Sequence, residues 1–156
     1  GQTARFRQSE VRPMGRPATG VNGINLDADD RVISMQLVQP DHDLLVVTVK
    51  GIGKRTRLEE YPTKGRATGG VITMKLRPGD QIAGAAIVHE RSLLTFISTG
   101  GMVMRTSADD IAQLGRLTQG VIVVNLGAKD TLAALSVEDP EEVEGDPTTI
   151  ISANGA

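Results

Sequence analysis

A chain of 156 residues with 17 Lys and Arg against 19 Asp and Glu and no cysteine is one ordinary domain's length, can bury a real core, and has neither disulfides nor cysteine-based metal sites open to it. It holds no apolar run of membrane-spanning length and carries charged "RFRQSEVR" near its N-terminus where a signal peptide would stand, so a soluble, cytoplasmic protein is expected. The net charge of −2 hides a segregation: Glu138, Asp139, Glu141, Glu142, Glu144 and Asp146 crowd into one segment without a base, which leaves residues 1–137 with 17 bases against 13 acids, or +4.

In chain order, "GRPATGVNGINL" from residue 15 recurs as "GRATGGVITMKL" from 65 and "GRLTQGVIVVNL" from 115. The spacing is 50 residues each time, and Arg5/Arg55/Arg105, Gly20/Gly70/Gly120, Leu26/Leu76/Leu126 and Asp30/Asp80/Asp130 keep it. Such a period means stacked units, none of which buries its own faces alone. Four strands per unit are predicted. In "GVITMKL" (70–76) Ile72, Met74 and Leu76 alternate with Val71, Thr73 and Lys75, the period of a half-buried strand. Next come "RVISMQLV" (31–38), "QIAGAAIV" (81–88) and "TLAALSVE" (131–138), where Ile33, Met35 and Leu37 alternate again. The third strand, "DLLVVTV" (43–49) or "SLLTFIST" (92–99), is apolar nearly throughout, as burial on both faces requires. A glycine turn then leads to "GKRTRL" (53–58) or "MVMRTS" (102–107). "RLEEYPTKG" and "SADDIAQLG" leave room for a short helical turn.

The expected fold is all-β and propeller-like, with about three four-stranded blades in one repeat domain over 1–156. The acidic stretch near 138–147 reads as an inserted loop or tail, after which "TTIISANGA" resembles "LLVVTVKGI" four residues out of phase. The chain starts and stops at nearly the same phase of its repeat, as units cut from a longer array would.

Catalytic chemistry is hard to place. His42 and His89 share no repeat position and read as surface residues. Gly51 and Gly53 lack the strand-to-helix setting of a phosphate loop and fit a hairpin, and the Asp29-Asp30 and Asp109-Asp110 pairs fit turns, since no loop gathers six oxygens for a hard cation. No cofactor, metal or active site is expected.

Arginine recurs instead at two phases, Arg5/Arg55/Arg105 and Arg16/Arg66/Arg116, and Glu10, Glu60 and Asp110 recur with it, so these six have both a structural reading, as ties between blades, and a ligand-binding one. The non-repeating bases Arg7, Arg12, Lys50, Lys54, Arg57, Lys64, Lys75 and Arg77 are the better ligand candidates, because their third-unit counterparts are mostly neutral and the repeat itself demands no charge there. With Phe6, Tyr61 and Phe96 as the only aromatics, stacking on single strands is disfavoured, and no recognition helix is visible for the major groove. Contact with duplex phosphates remains, tolerant of sequence and sensitive to salt; the alternative is a propeller-type scaffold whose basic face docks an acidic protein.

"GKRTRLEEYPTKGRATGGVITMKL", "MGRPATGVNGINL" and "VMRTSADDIAQLGRLTQGVIVVNL" resemble the C-terminal domain of the bacterial DNA gyrase A protein, over residues 1 to about 137. The resemblance implies a β-pinwheel, a propeller look-alike whose blades exchange strands and which wraps duplex DNA round its outer rim to support negative supercoiling. It implies as partners the rest of gyrase A, together with gyrase B, and puts the catalytic tyrosine and the ATPase elsewhere in that assembly. The paralogous topoisomerase IV domain is the related alternative. The family's basic Q-R-R-G-G-K-G loop does not occur here; "MGRPATG", "KGRATGG" and "LGRLTQG" occupy its phase. The family's domain has more than three blades, so the likeness is to its C-terminal half, and Arg5, Arg7, Arg12, Arg16, Lys50, Lys54, Arg55, Arg57, Lys64, Arg66, Lys75 and Arg77 are the expected DNA-binding residues, with Lys54, Arg55, Arg57, Lys64 and Arg66 carrying most of the attraction.

Overall fold

The computed structural model describes residues 1–140; most of the acidic segment and "TTIISANGA" lie outside the described residues. Nine strands follow in order: β1 (Gln2–Thr3), β2 (Asp43–Thr48), β3 (Ile52–Arg57), β4 (Val71–Ile72), β5 (Ile82–Val88), β6 (Leu93–Ser98), β7 (Val103–Ser107), β8 (Val121–Ile122) and β9 (Leu132–Glu138). The short helical turns expected in the second and third units are present as 3-10 turns at Leu58–Glu60 and Ala108–Asp110, and Gln8–Glu10 repeats them in the first.

The second sheet is the complete blade, with the order β5-β2-β3-β8; the third has β7-β6-β9 and the first only β1-β4. The β2–β3 hairpin is closed by Gly51 at φ +80°, where a residue with a Cβ would be strained. Its inner neighbour β5 and its outer neighbour β8 both come from later in the chain, so the units exchange strands. The outer exchange keeps one register throughout: Gln2 faces Ile72 and Thr3 faces Val71, and one repeat on, Ile52 faces Ile122 and Gly53 faces Val121.

β2 is buried on both faces, as its apolar run demands. Leu44 and Val46 enter one cluster with Leu58, Tyr61 and Met74; Leu45 and Val47 enter another with Ala86, Val88, Leu94, Phe96, Ile111 and Val124. The two clusters are the mortar between successive blades. Fully burying such a side chain is worth about 1.5–3 kcal/mol, which explains why β2 carries no polar residue between Leu44 and Val47.

Three expectations are corrected. Residues 31–38 form no strand, and Val32, Met35 and Leu37 are 59%, 88% and 70% exposed. Their equivalents β5 and β9 each pair with the hairpin that precedes them, β2–β3 and β6–β7, and among the described residues none occupies that place for 31–38. In 70–76 only Val71 and Ile72 stay in the ladder, and the alternation fails: Ile72 is exposed while the neighbours Thr73 and Met74 are both buried, because the chain turns inward at once, with the Thr73 N–H donating to Gly1 O and its hydroxyl bonded to the Tyr61 hydroxyl. Finally, β6 buries one face, leaving Leu93 and Ile97 exposed, since no further described blade packs over them.

Candidate nucleic-acid interface

The inner edges of the blades face one another: Ile33, Ser34 and Gln36 line a common cavity of about 490 Å³ with β5 and β9. The opposite edges, β4 and β8 with the turns that lead into them (62–70 and 112–120), therefore form the outer rim. Whether a cation there is available depends on what it already touches.

The recurrent arginines are largely spent on joining units. Arg5 Nη1 donates to Leu58 O at 2.7 Å and Tyr61 O at 3.3 Å, and Arg55 Nε donates to Ile111 O at 3.0 Å, the same reach one repeat on. Arg66 Nη1 donates to Asn22 O at 2.7 Å and Arg116 Nη1 to Ile72 O at 2.8 Å. The recurrent acids also bridge units, but through the backbone: Glu10 accepts the Arg66 N–H and Glu60 the Arg116 N–H, both at 3.0 Å. The ties between blades are thus mainly arginine to carbonyl and glutamate to amide, with one ion pair, Arg55 to Asp109 at 3.7 Å, beside them. Asp110, one methylene shorter, turns back instead to cap its own 3-10 turn, accepting from Thr106 Oγ1 and the Ser107 N–H. Arg105 pairs with Glu138 at 3.0 Å.

Two expected DNA contacts are corrected outright. Lys54 has no exposed surface; its ammonium lies 2.7 Å from Gly115 O, 2.8 Å from Arg116 O, and 3.2 and 3.1 Å from Thr118 O and Oγ1. Three N–H bonds serve four oxygens of the next unit's rim turn, so the lysine is a pin between blades. Arg55 is 8% exposed and is held by Asp43 at 2.9 Å and Asp109 at 3.7 Å. Both fall in β3, whose sides are covered by β2 and by the third unit, and neither can meet a phosphate. Arg5 and Arg66 are half-buried.

Burial pulls the Lys54 pKa down to about 8, against the opposing pull of Glu60, with Arg116 lowering it further. A lysine whose folded pKa lies below its ordinary 10.5 leaves the folded chain with fewer bound protons than the unfolded one between those values, so stability rises as pH climbs through that window. Urea unfolding at pH 7.5 and pH 9.5 is expected to show the parent gaining stability relative to Lys54→Met; a constant difference between the two proteins would exclude the linkage.

The free cations are elsewhere. Arg7, Arg12, Arg16, Lys50, Arg57, Lys64, Lys75 and Arg77 are all exposed. Arg57 Nε touches Gln113 at 3.2 Å, and among the described residues Arg7, Arg12, Arg16 and Lys64 have no side-chain partner. Lys50 Nζ sits 3.3 Å from Pro78 O, which gathers Lys50 and Arg77 at the turn end of the second blade. The acid at this turn, Asp80, is buried and accepts the Lys50 and Gln81 amides. Arg31, Arg91 and Lys129 are exposed as well and were missed, although they too stand at non-repeating positions. His42 and His89, unrelated in the repeat, meet with ring centroids 5.4 Å apart, because Asp43 and Val88 beside them are paired across β2 and β5.

The family described as "DNA gyrase C-terminal domain, beta-propeller" matches residues 1–39, 42–89 and 93–137. The DNA gyrase A protein of Salmonella typhimurium is 49% identical over 63 residues, 40% of this chain and 7% of that protein. Its Mycobacterium leprae equivalent is 48% identical over 64 residues, 40% of this chain and 5% of that protein. The matched stretch is thus a small part of these relatives' length. Among solved structures, the C-terminal domain of DNA topoisomerase IV superposes with a TM-score of 0.85 at 22% identity, over 100% of this chain and 49% of that one. The DNA gyrase A C-terminal domain gives 0.79 at 24% identity, over 89% of this chain and 48% of that one.

Proposed function

This chain belongs to the DNA gyrase C-terminal domain family, and from that membership we propose that its outer rim binds duplex DNA through the phosphates, without reading bases, and bends it as part of a gyrase. The observation that carries this is the set Arg7, Arg12, Arg16 and Lys64, all exposed and without a side-chain partner among the described residues, of which Arg7, Arg12 and Lys64 stand at positions the repeat leaves free to be neutral. A blade stack presents such cations along a curve, and a duplex with one charge per ~1.7 Å of axis releases counterions on meeting them. Bending some 20–30 base pairs by 40–90° costs on the order of 1–6 kcal/mol, and that release must offset it. The work of such a domain is to shape DNA for strand passage by other parts of the enzyme, so that negative supercoils are added in the bacterial cytoplasm; its partners are then the remainder of gyrase A and gyrase B.

Binding to mixed-sequence duplexes of increasing length, across a salt series, tests the reading. The parent is expected to bind longer duplexes more tightly and to weaken steeply with salt. Arg7, Arg12 and Arg16 changed together to Ala are expected to flatten the log–log salt slope by about 0.9 for each phosphate no longer neutralised. No binding at low salt would sink the proposal.

A further inference from the structure

The three equivalent stretches that run into the rim turns do not carry the same formal charge. Residues 5–20 carry Arg5, Arg7, Arg12 and Arg16 against Glu10, a net +3; residues 55–70 carry Arg55, Arg57, Lys64 and Arg66 against Glu59 and Glu60, +2; residues 105–120 carry Arg105 and Arg116 against Asp109 and Asp110, zero. The structure sharpens the gradient. Arg7, Arg12 and Arg16 are exposed in the first stretch and Arg57 and Lys64 in the second, whereas both bases of the third are engaged, Arg105 by Glu138 at 3.0 Å and Arg116 by Ile72 O at 2.8 Å with its guanidinium 6.0 Å from the Tyr61 ring centre. Asp109 and Asp110 stand exposed beside them. Between Lys64 and its counterpart Leu114, and between Arg57 and its counterpart Ser107, the free cation is simply replaced.

Resting on the duplex-binding role proposed above, we infer that the DNA path is polar along the chain: the duplex is held by the first and second units and leaves the rim before the third. Bending it farther round costs elastic energy, and the third stretch, 105–120, offers no free cation whose contact with phosphate would release counterions to offset that cost; Lys129, exposed in the same unit, stands outside that stretch. The third unit's rim turn is itself held against the second blade through Lys54 and β8, while the first two units hold the duplex.

The repeat supplies its own control. Thr19, Gly69 and Gln119 occupy one phase of the rim turn and are all exposed. Gly69 is not at positive φ, and a Cβ there would meet nothing within 4 Å, so a glutamate is tolerated at each. A carboxylate set about 5 Å from a phosphate across water weakens binding roughly fourfold. Thr19→Glu and Gly69→Glu are therefore expected to weaken duplex binding at low salt by roughly that factor, and Gln119→Glu to leave it unchanged, with equal urea midpoints in all three. A loss at 119 equal to the others would overturn the polar path while leaving DNA binding intact, as would no loss at 19 and 69 in a parent that binds. A parent that does not bind duplex DNA overturns both the path and the function.

Discussion

Gly51→Ala is expected to destabilise the domain by about 2–5 kcal/mol, and Gly101→Ala, at the same turn one repeat on, by only about 1–2 kcal/mol. Both glycines hold positive φ, +80° and +86°, and a Cβ in that region costs roughly 1–2 kcal/mol by itself. What separates them is the next unit. A Cβ on Gly51 would lie 2.3 Å from the backbone oxygen of Val124, while one on Gly101 meets nothing within 4 Å. Gly51 O also accepts the N–H groups of Val123 and Val124, so the clash falls on the junction where β8 joins the second blade, and backbone has no rotamer by which to yield. Overpacking of this kind adds about 1–3 kcal/mol. Urea unfolding of the two variants decides it: equal losses would mean that the exchanged strand contributes nothing to the stability of the turn.

Lys54→Met, which installs the residue found at the equivalent third-unit position, is expected to cost about 2–4 kcal/mol while leaving the salt slope of DNA binding unaltered. Methionine fills the volume but donates nothing to the four oxygens around the ammonium. Three of them keep other bonds or are reached by another donor: Thr118 Oγ1 donates to Gly115 O, and the Lys75 N–H reaches Thr118 O. Arg116 O loses the one partner it has among the described residues. Charge-assisted bonds are worth about 1.5–3 kcal/mol net and a stranded carbonyl costs about 1–3 kcal/mol, with overlap between the two. A variant that kept full stability but lost salt dependence would return Lys54 to the DNA-binding surface and refute its role as a pin.

The 50-residue repeat, the all-β class, the two described hairpins with their glycine turns, and the short helical turns of the second and third units were legible in the sequence, because each rests on local pattern: period-two alternation, an apolar run, a glycine where φ must be positive. β2 was read as buried on both faces from "LLVVT" alone, and the two core clusters divide its side chains as that reading requires. The same pattern misled at 31–38. Its alternation is as good as that of β5 or β9, but a strand needs a partner's amides and carbonyls as well as a suitable sequence, and pairing is not a local property.

Charge shows the same division more sharply. Composition and repeat phase established that residues 1–137 are basic and that the excess is uneven, and this alone selected Arg7, Arg12, Lys64 and Lys54 together, with Lys54 and Lys64 of the most basic middle unit placed first. Only the tertiary structure separates them, since the hydration of a cation is set by what packs over it. Arg7, Arg12 and Lys64 remain in water, whereas Lys54 is covered by a turn 61 to 64 residues away. A row of letters records that a charge exists. Whether it faces a carbonyl or a phosphate is decided by packing across the fold, which desolvates one lysine and leaves another free.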